Sequence, residues 1–239
     1  MIGELLPATV ACAEAFEDCG EDQLFPQERE LLGNSVERRR REFTTVRSCA
    51  RRALAELGLP PSPVLPGVRN APRWPDGIVG SMTHCDGYRA AALARATDMA
   101  TVGIDAEPDL PLRAGVVESI ALPSELSWVR AAAPGSVHRD RLLFSAKECV
   151  YKAWYPMMRS ELDFADARLA FATEATNVSG SSGTFDARVL RPARHSSGRW
   201  VDAFSGRWAA RRGLIVTAIA LPAMESLNST PTATGNQGR

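Results

Sequence analysis

A chain of 239 residues could form one large domain or two smaller ones, and its 45% hydrophobic and 23% charged residues are ordinary for a globular protein. Its formal net charge of zero excludes the strong overall field that attracts nucleic acids or membranes. Five cysteines without a C-x-x-C pair, beside only three histidines, argue against a disulfide framework or a structural zinc site, so we expect a cytoplasmic protein with reduced thiols.

The first half of the chain combines a helical stretch with short strands. Apolar residues recur at helical spacing through residues 27–58, which predicts one or two helices that stop at Gly58 and the prolines after it. A loop rich in proline and glycine follows. The segments 78–82 and 88–94 then predict two strands joined by the turn "THCDG".

The second half has a similar order of elements. "MATVGIDAEPDL" predicts a strand that ends at Pro108, and residues 123–134 and 138–158 predict helices. The stretches "ARLAFA", "TFDARVL" and "GLIVTAIALP" predict strands, and the polar residues 224–239 predict a disordered tail. We therefore expect an α+β fold of two similar, pseudo-twofold lobes, residues 1–101 and 102–223, each a small sheet packed with helices.

A pair of acidic residues lies at the end of the strand "VGIDAEP". Asp105 and Glu107 are two positions apart, so they project from the same face of a strand. Neighbouring carboxylates repel each other unless a cation or a shared proton lies between them, and oxygen ligands of this kind suit Mg²⁺. The pair therefore fits a metal site, or an exposed strand end with two solvated acids.

The stretch "FSAKECVYKAWYP" holds Lys147 and Lys152, the only lysines among 28 lysine and arginine residues. Glu148 and Lys152 are i,i+4 neighbours on a helix, as in an ordinary surface ion pair. Such a pair would tolerate arginine, whereas a compact ammonium that contacts a phosphate or shuttles a proton is harder to replace. We interpret Glu148 as a metal ligand or general base and both lysines as phosphate contacts.

Two further segments carry groups that suit a phosphate. Ser81, Thr83 and His84 lie at a strand end and in the following turn, although a turn with only local hydrogen bonds would look the same. Seven arginines crowd one helical stretch, on which Arg47 and Arg51 share a face. That helix could bind nucleic acid, an acidic protein or a phosphorylated cofactor, or be a solvated face balanced by glutamates.

Taken together, these segments resemble a known family. "VGIDAEP" followed by "FSAKECVYKAW" resembles the paired signature of the Sfp/EntD-type 4′-phosphopantetheinyl transferases. "RWPDGIVGSMTHCDGYRAAAL" and "REFTTVRSCARRALAELG" resemble the first motif and the N-terminal helix of the EntD-like branch. The resemblance covers residues 24–155 and implies coenzyme A in the cleft between two similar lobes, with Mg²⁺ on its pyrophosphate.

The resemblance also implies roles for the acidic and lysine residues. By motif position, Asp105, Glu107 and Glu148 match the metal-binding acids of the family. Lys147 and Lys152 match its lysines, of which Lys152 would lie near the reacting phosphate.

The remaining candidates would hold the rest of coenzyme A. His84 matches a histidine that contacts one of its phosphates. Arg47 and Arg51 fall in a basic segment that helps to hold the 3′-phosphoadenosine end, and Arg69 joins them from the loop before "APRWP". Cys149 departs from many relatives, which have alanine or serine at that position.

The activity that the resemblance implies is transfer of the 4′-phosphopantetheine arm of coenzyme A to a serine of an apo acyl or peptidyl carrier protein, with release of adenosine 3′,5′-bisphosphate. Carriers of fatty acid, polyketide and non-ribosomal peptide synthesis all fit. Glu148 would activate the serine hydroxyl, directly or through a metal-bound water, and Lys152 would act on the leaving side. The alternative is a non-catalytic coenzyme A sensor or partner protein. We expect a monomer that binds neither nucleic acid nor a membrane.

Overall fold

The computed structural model of the protein describes residues 1–20, 24–195, 198 and 200–223. The strands in this part of the chain are β1 (Ala11–Ala15), β2 (Leu65–Pro66), β3 (Pro72–Arg73), β4 (Ile78–Cys85), β5 (Tyr88–Arg95), β6 (Met99–Pro108), β7 (Ala167–Asn177), β8 (Gly180–Arg194), β9 (Trp200–Arg211) and β10 (Leu214–Pro222). The α-helices are α1 (Pro26–Glu30), α2 (Glu37–Glu56), α3 (Val116–Ile120), α4 (Pro123–Arg130) and α5 (Arg139–Met158). Among these helices, none combines the length and apolar character that crossing a membrane requires.

The N-terminal lobe is a three-stranded antiparallel sheet in the order β1-β5-β4, with α2 packed on one face. Its central strand β5 is rich in alanine and buried on both faces. Leu93 of β5 lies in one buried cluster with Ala50 and Leu54 of α2. Small side chains on β5 therefore let the helix and the second lobe approach the same strand from opposite sides.

The C-terminal lobe is a five-stranded antiparallel sheet in the order β6-β10-β9-β8-β7. Helix α5 packs on one face through a core that includes Trp154, Phe204 and Trp208. The opposite face of β6 and β10 shares a second core with β5, in which Ile104 lies among the alanines. The two lobes are thus joined by buried apolar surface, which is the main stabilising contribution to such contacts.

Helix α5 crosses strand β6 at very short range. A Cβ atom at Gly103 would lie 2.4 Å from the carbonyl oxygen of Cys149 and 2.9 Å from the Cβ of Ala153. The Cys149 thiol donates to the Gly103 carbonyl oxygen at 3.2 Å, and the Thr101 hydroxyl donates to the Ala153 carbonyl oxygen at 2.8 Å. Glycine at 103 is therefore required by space, and the thiol of Cys149 is part of the same packing.

The two sheets meet edge to edge where β4 runs beside β6. The Ser81 hydroxyl oxygen accepts the Ile104 N–H at 3.2 Å, and the Thr83 hydroxyl oxygen accepts the Ala106 N–H at 3.1 Å. These side chains satisfy backbone donors at the edge of the larger sheet, which would otherwise be buried without partners. Hydroxyl groups therefore join the edges of the two sheets.

The predicted α+β fold with two lobes is confirmed, and the helical stretch 27–58 forms the separate helices α1 and α2. Strands β1 and β9, the two-residue strands β2 and β3 and the short helix α3 were missed. Strand β9 contains Gly206, a residue that usually weakens a strand, but a Cβ there would lie 2.2 Å from the Phe185 ring. The division at residue 101 and the pseudo-twofold relation stay predictions, and the predicted tail lies outside the described residues.

We expect Gly103→Ala to lower the free energy of unfolding by about 1–3 kcal/mol, because the added methyl group must push α5 away from β6. Urea unfolding of the purified variant measures this loss. Gly20→Ala is the control, since nothing lies within 4 Å of a Cβ at that exposed position. Equal stability of the two variants would show that α5 and β6 are not in such close contact.

Candidate active site

A cleft of about 520 Å³ lies between the lobes. Helix α5 of the C-terminal lobe contributes Glu148 and Lys152 to its wall. The N-terminal lobe faces them with residues of α2, of the loop before β4 and of β4 itself. Of the six predicted site residues in the N-terminal lobe, four line the cleft: Arg47, Arg69, Ser81 and His84.

Asp105 is a buried acid that contacts Lys152 of the cleft wall. Its Oδ1 atom accepts hydrogen bonds from Lys152 Nζ at 2.6 Å and from the Thr83 hydroxyl at 3.3 Å. Its Oδ2 atom is buried and has no hydrogen-bond partner among the described residues. Burial lowers the pKa of Lys152, but the Asp105 carboxylate, with a smaller contribution from Glu148, raises it above the ordinary value. The ammonium of Lys152 therefore stays charged, and one carboxylate oxygen of Asp105 is left for a further ligand.

Glu107 and Glu148 both lie in surroundings that disfavour a negative charge. Burial raises the pKa of Glu107, and the Asp105 charge adds to this effect, while Arg141 opposes it with an ion pair at 2.8 Å. Burial also raises the pKa of Glu148, where Lys152 opposes the shift and Asp105 adds to it. Both glutamates therefore sense the Asp105 charge, which places the three acids around a common region of negative potential.

The predicted metal ligands are not drawn together as a ready-made site. Within the described part of the chain, no group of three or more His, Cys, Asp or Glu side chains is placed so that it could hold a metal ion. The physical reason is that the acids already have cations of the chain as partners: Lys152 for Asp105 and Arg141 for Glu107. The unpartnered Asp105 oxygen and the mutual repulsion of the acids nevertheless suit a hard divalent cation.

The basic helix brings one of its two predicted residues to the cleft. Arg47 lines the cleft, with its guanidinium 3.2 Å above the centre of the Phe43 ring, and burial lowers its pKa to about 10. Arg51 is not part of the cleft wall and instead pairs with the fully buried Glu28 at 3.1 Å. Glu28 also lies 3.6 Å from Arg47 and accepts the Val64 N–H, so it holds the loop before β4 against α2.

His84 and Arg39 form a second group of nitrogen donors on the cleft wall. The His84 Nε2 atom lies 3.2 Å from a guanidinium nitrogen of Arg39, and its Nδ1 atom lies 3.6 Å from Glu42. Burial lowers the pKa of His84, although Glu42 opposes the shift. Arg39 was missed in the sequence, yet its spacing from Phe43 and Arg47, i,i+4 and i,i+8, would have placed it on the same helix face.

Arg69 reaches the cleft from a strained turn. Its backbone is left-handed, with φ of 58°, and the next residue, Asn70, has φ of 60°. Conformations of this kind are unfavourable for residues other than glycine. The Arg69 side chain forms an ion pair with Glu161, which lies just after α5 in the other lobe. This contact connects the two lobes along the rim of the cleft.

Of the remaining candidates, Thr83 and Lys147 do not line the cleft. Thr83 is used in the contact between the sheets and in the hydrogen bond to Asp105. Lys147 is buried, and its ammonium contacts the carbonyl oxygens of Phe164 and Ala167 and the carboxylate of Glu125. The turn predicted to include His84 begins only after Cys85, so all three candidates of that segment belong to β4.

The two lobes of this α+β protein enclose a cleft lined by arginine, histidine and lysine, side chains that can donate to the oxygens of a phosphorylated ligand. Residues 27–94 match the family model "4′-phosphopantetheinyl transferase N-terminal domain". Residues 101–196 match that of the 4′-phosphopantetheinyl transferase superfamily.

Individual relatives agree with these matches. The chain is 54% identical to 4′-phosphopantetheinyl transferase Svp of Streptomyces mobaraensis, over 93% of this chain and 90% of the relative. It is 45% identical to 4′-phosphopantetheinyl transferase PptT of Mycobacterium tuberculosis, over 92% and 98%. With enterobactin synthase component D of Salmonella typhi it shares 30% identity over 66% and 65%. The chain therefore belongs to the 4′-phosphopantetheinyl transferase superfamily, as its motifs predicted.

We expect Thr83→Val to lower the free energy of unfolding by about 1–3 kcal/mol, because the buried Ala106 N–H loses its acceptor. Thr83→Ser keeps the hydroxyl and should retain most of the wild-type stability. Urea unfolding curves of the two variants provide the comparison. If valine and serine give the same stability, the hydroxyl contact between the sheets contributes nothing.

Proposed function

We propose that this chain transfers the 4′-phosphopantetheine arm of coenzyme A to a serine hydroxyl of an apo carrier protein and releases adenosine 3′,5′-bisphosphate. Membership of the transferase superfamily supports the reaction class. The observation that carries the proposal is the cleft itself, in which Glu148 and Lys152 face Arg47, Arg69 and His84 across the lobe boundary. An acid and an ammonium on one wall, with phosphate-binding cations on the other, suit phosphoryl-type transfer.

The cations of the N-terminal lobe would hold the phosphates of coenzyme A. Arg39, Arg47 and His84 line one side of the cleft, and the planar guanidinium groups can bind phosphate oxygens in pairs. Arg69 would join them by exchanging its ion pair with Glu161 for one with a phosphate. These contacts would orient the pyrophosphate toward α5, where the reacting groups lie.

Glu148 would act as the general base. Its raised pKa, caused mainly by burial, makes it a stronger proton acceptor than an exposed glutamate. It would take the proton of the carrier serine as the Oγ–P bond forms and the bond from that phosphorus to the bridging pyrophosphate oxygen breaks. Lys152, one turn further along α5, would stabilise the negative charge on the leaving oxygen.

The acids beside the cleft would hold Mg²⁺. Asp105 would contribute its buried Oδ2 atom, with Glu107 and Glu148 as the neighbouring carboxylates. Bound Mg²⁺ would neutralise charge on the pyrophosphate oxygens. The chain's own contribution is the fixed position of Asp105, which Lys152 and Thr83 hold by its other oxygen.

Intact-protein mass spectrometry of an apo carrier protein, incubated with this protein, coenzyme A and Mg²⁺, tests the function directly. We expect the carrier to gain the mass of one phosphopantetheine arm. Glu148→Gln should abolish the gain, because an amide cannot accept the serine proton, while Glu174→Gln on the exposed face of β7 should transfer normally. Full activity of Glu148→Gln would rule out its role as base. If the wild-type protein binds coenzyme A but transfers the arm to none of several carriers, the alternative of a non-catalytic coenzyme A sensor is favoured.

We expect Asp105→Asn to raise the Mg²⁺ concentration needed for half-maximal transfer by at least about tenfold, because the site loses an anionic ligand. Titration calorimetry of Mg²⁺ into the complex with coenzyme A should show the same weakening without relying on turnover. Asp186→Asn, on strand β8, serves as the control. An unchanged Mg²⁺ requirement in Asp105→Asn would remove this residue from the metal site.

A further inference from the structure

We propose that Lys147 is a positioning residue for Glu148 and not a ligand of the coenzyme A phosphates: through a buried pair with Glu125, it fixes the turn of α5 that presents Glu148 to the cleft. The inference rests on the proposed function, because it concerns the group that acts as base there. It replaces the role that the family motif implies for this lysine.

The hydrogen bonds of Lys147 are the first ground for this assignment. Its ammonium donates to the carbonyl oxygen of Phe164 at 2.6 Å, to that of Ala167 at 2.8 Å and lies 3.0 Å from a carboxylate oxygen of Glu125. A lysine ammonium has three N–H donors, so these acceptors use all of them. With only 1% of its side chain exposed, Lys147 has no free N–H donor to offer a phosphate.

Glu125 is the centre of a larger network. One of its carboxylate oxygens accepts the Leu169 N–H at 2.7 Å, and the other accepts the Leu122 N–H at 2.7 Å beside Lys147. Its side chain is 2% exposed. The pair therefore ties together the start of α4, the middle of α5 and the start of β7. Removing one partner of such a buried pair leaves the other charge uncompensated, which is far more disruptive than losing a surface pair.

The position of Lys147 on α5 explains how the pair acts on catalysis. Successive residues of a helix are rotated by about 100°, so Lys147 points into the lobe while Glu148 enters the cleft wall. Holding Lys147 therefore sets the rotation of this turn of α5 and with it the direction of Glu148. A misplacement of a reacting group by about 1 Å can cost about a hundredfold in rate.

The geometry also explains why this position is lysine in a chain otherwise rich in arginine. Three acceptors from three segments converge on one nitrogen atom within 2.6–3.0 Å. An ammonium can donate in three directions from a single atom, whereas each terminal nitrogen of a planar guanidinium has two donors in a fixed plane. A guanidinium is also larger than the space that an ammonium fills.

The test compares Lys147→Met, Lys147→Arg and Glu125→Gln with the wild type in three measurements: kcat and KM with coenzyme A, calorimetric Kd for coenzyme A, and amide hydrogen exchange. We expect all three variants to lose kcat about 10- to 100-fold, with KM and Kd for coenzyme A within about twofold of wild type. Exchange of the amides in residues 146–150 and of Leu169 should become faster.

A phosphate contact would give the opposite pattern. Lys147→Met would then raise the Kd for coenzyme A, and Lys147→Arg would restore it because a guanidinium also binds phosphate. Glu125→Gln would leave both kcat and the Kd for coenzyme A unchanged. That result overturns the inference, as does unchanged exchange in α5. If Lys147→Met does not fold, Glu125→Gln still decides between the patterns. If the wild type transfers nothing, the proposed function fails by itself, and exchange and calorimetry still test the anchoring of α5.

Discussion

The close crossing of α5 over β6 at Gly103 is the contact on which the candidate site depends. At Gly103 the backbone of α5 occupies the space that the side chain of any other residue would need. Because the helix is so near, the side chains on the same face of β6 meet α5 directly: Asp105 reaches Lys152 at 2.6 Å, and Glu107 reaches Arg141 at 2.8 Å. A methyl group at 103 would separate the elements and lengthen both contacts. Packing of backbone against backbone thus sets the electrostatics of the cleft.

The second constraint is the junction between the sheets. Strand β6 is the edge of the larger sheet, and the smaller sheet meets it with two hydroxyl side chains in place of a backbone ladder. Thr83 also donates to Asp105, so the same residue joins the lobes and orients the acid. Strand β4 of the cleft wall is thus held in a fixed position relative to the acids, because it is joined to β6, the strand that carries Asp105 and Glu107. Such preorganisation is what phosphoryl-type transfer requires.

The sequence predicted those parts of the site that depend on local periodicity. Alternation in "VGIDAEP" placed Asp105 and Glu107 on one face, and helical spacing placed Glu148 and Lys152 together. It did not predict that the hydroxyls of β4 would bind the β6 backbone, because the register between two lobes depends on non-local packing. The same spacing argument shows that Lys147 and Lys152, five residues apart, are rotated by about 140° and cannot share a role on one face. Motif position alone hides this difference.

The cations of the cleft have partners before any ligand arrives, and this couples the ligands to each other. Lys152 holds Asp105, Arg47 lies beside Glu28, and Arg69 pairs with Glu161. In the proposed function, a phosphate must compete with these carboxylates, so a monovalent anion gains little by entering. A divalent cation at Asp105 would weaken the hold of that carboxylate on Lys152 and leave the ammonium to the phosphate. Metal and coenzyme A should then strengthen each other's binding by the same factor, as linkage requires.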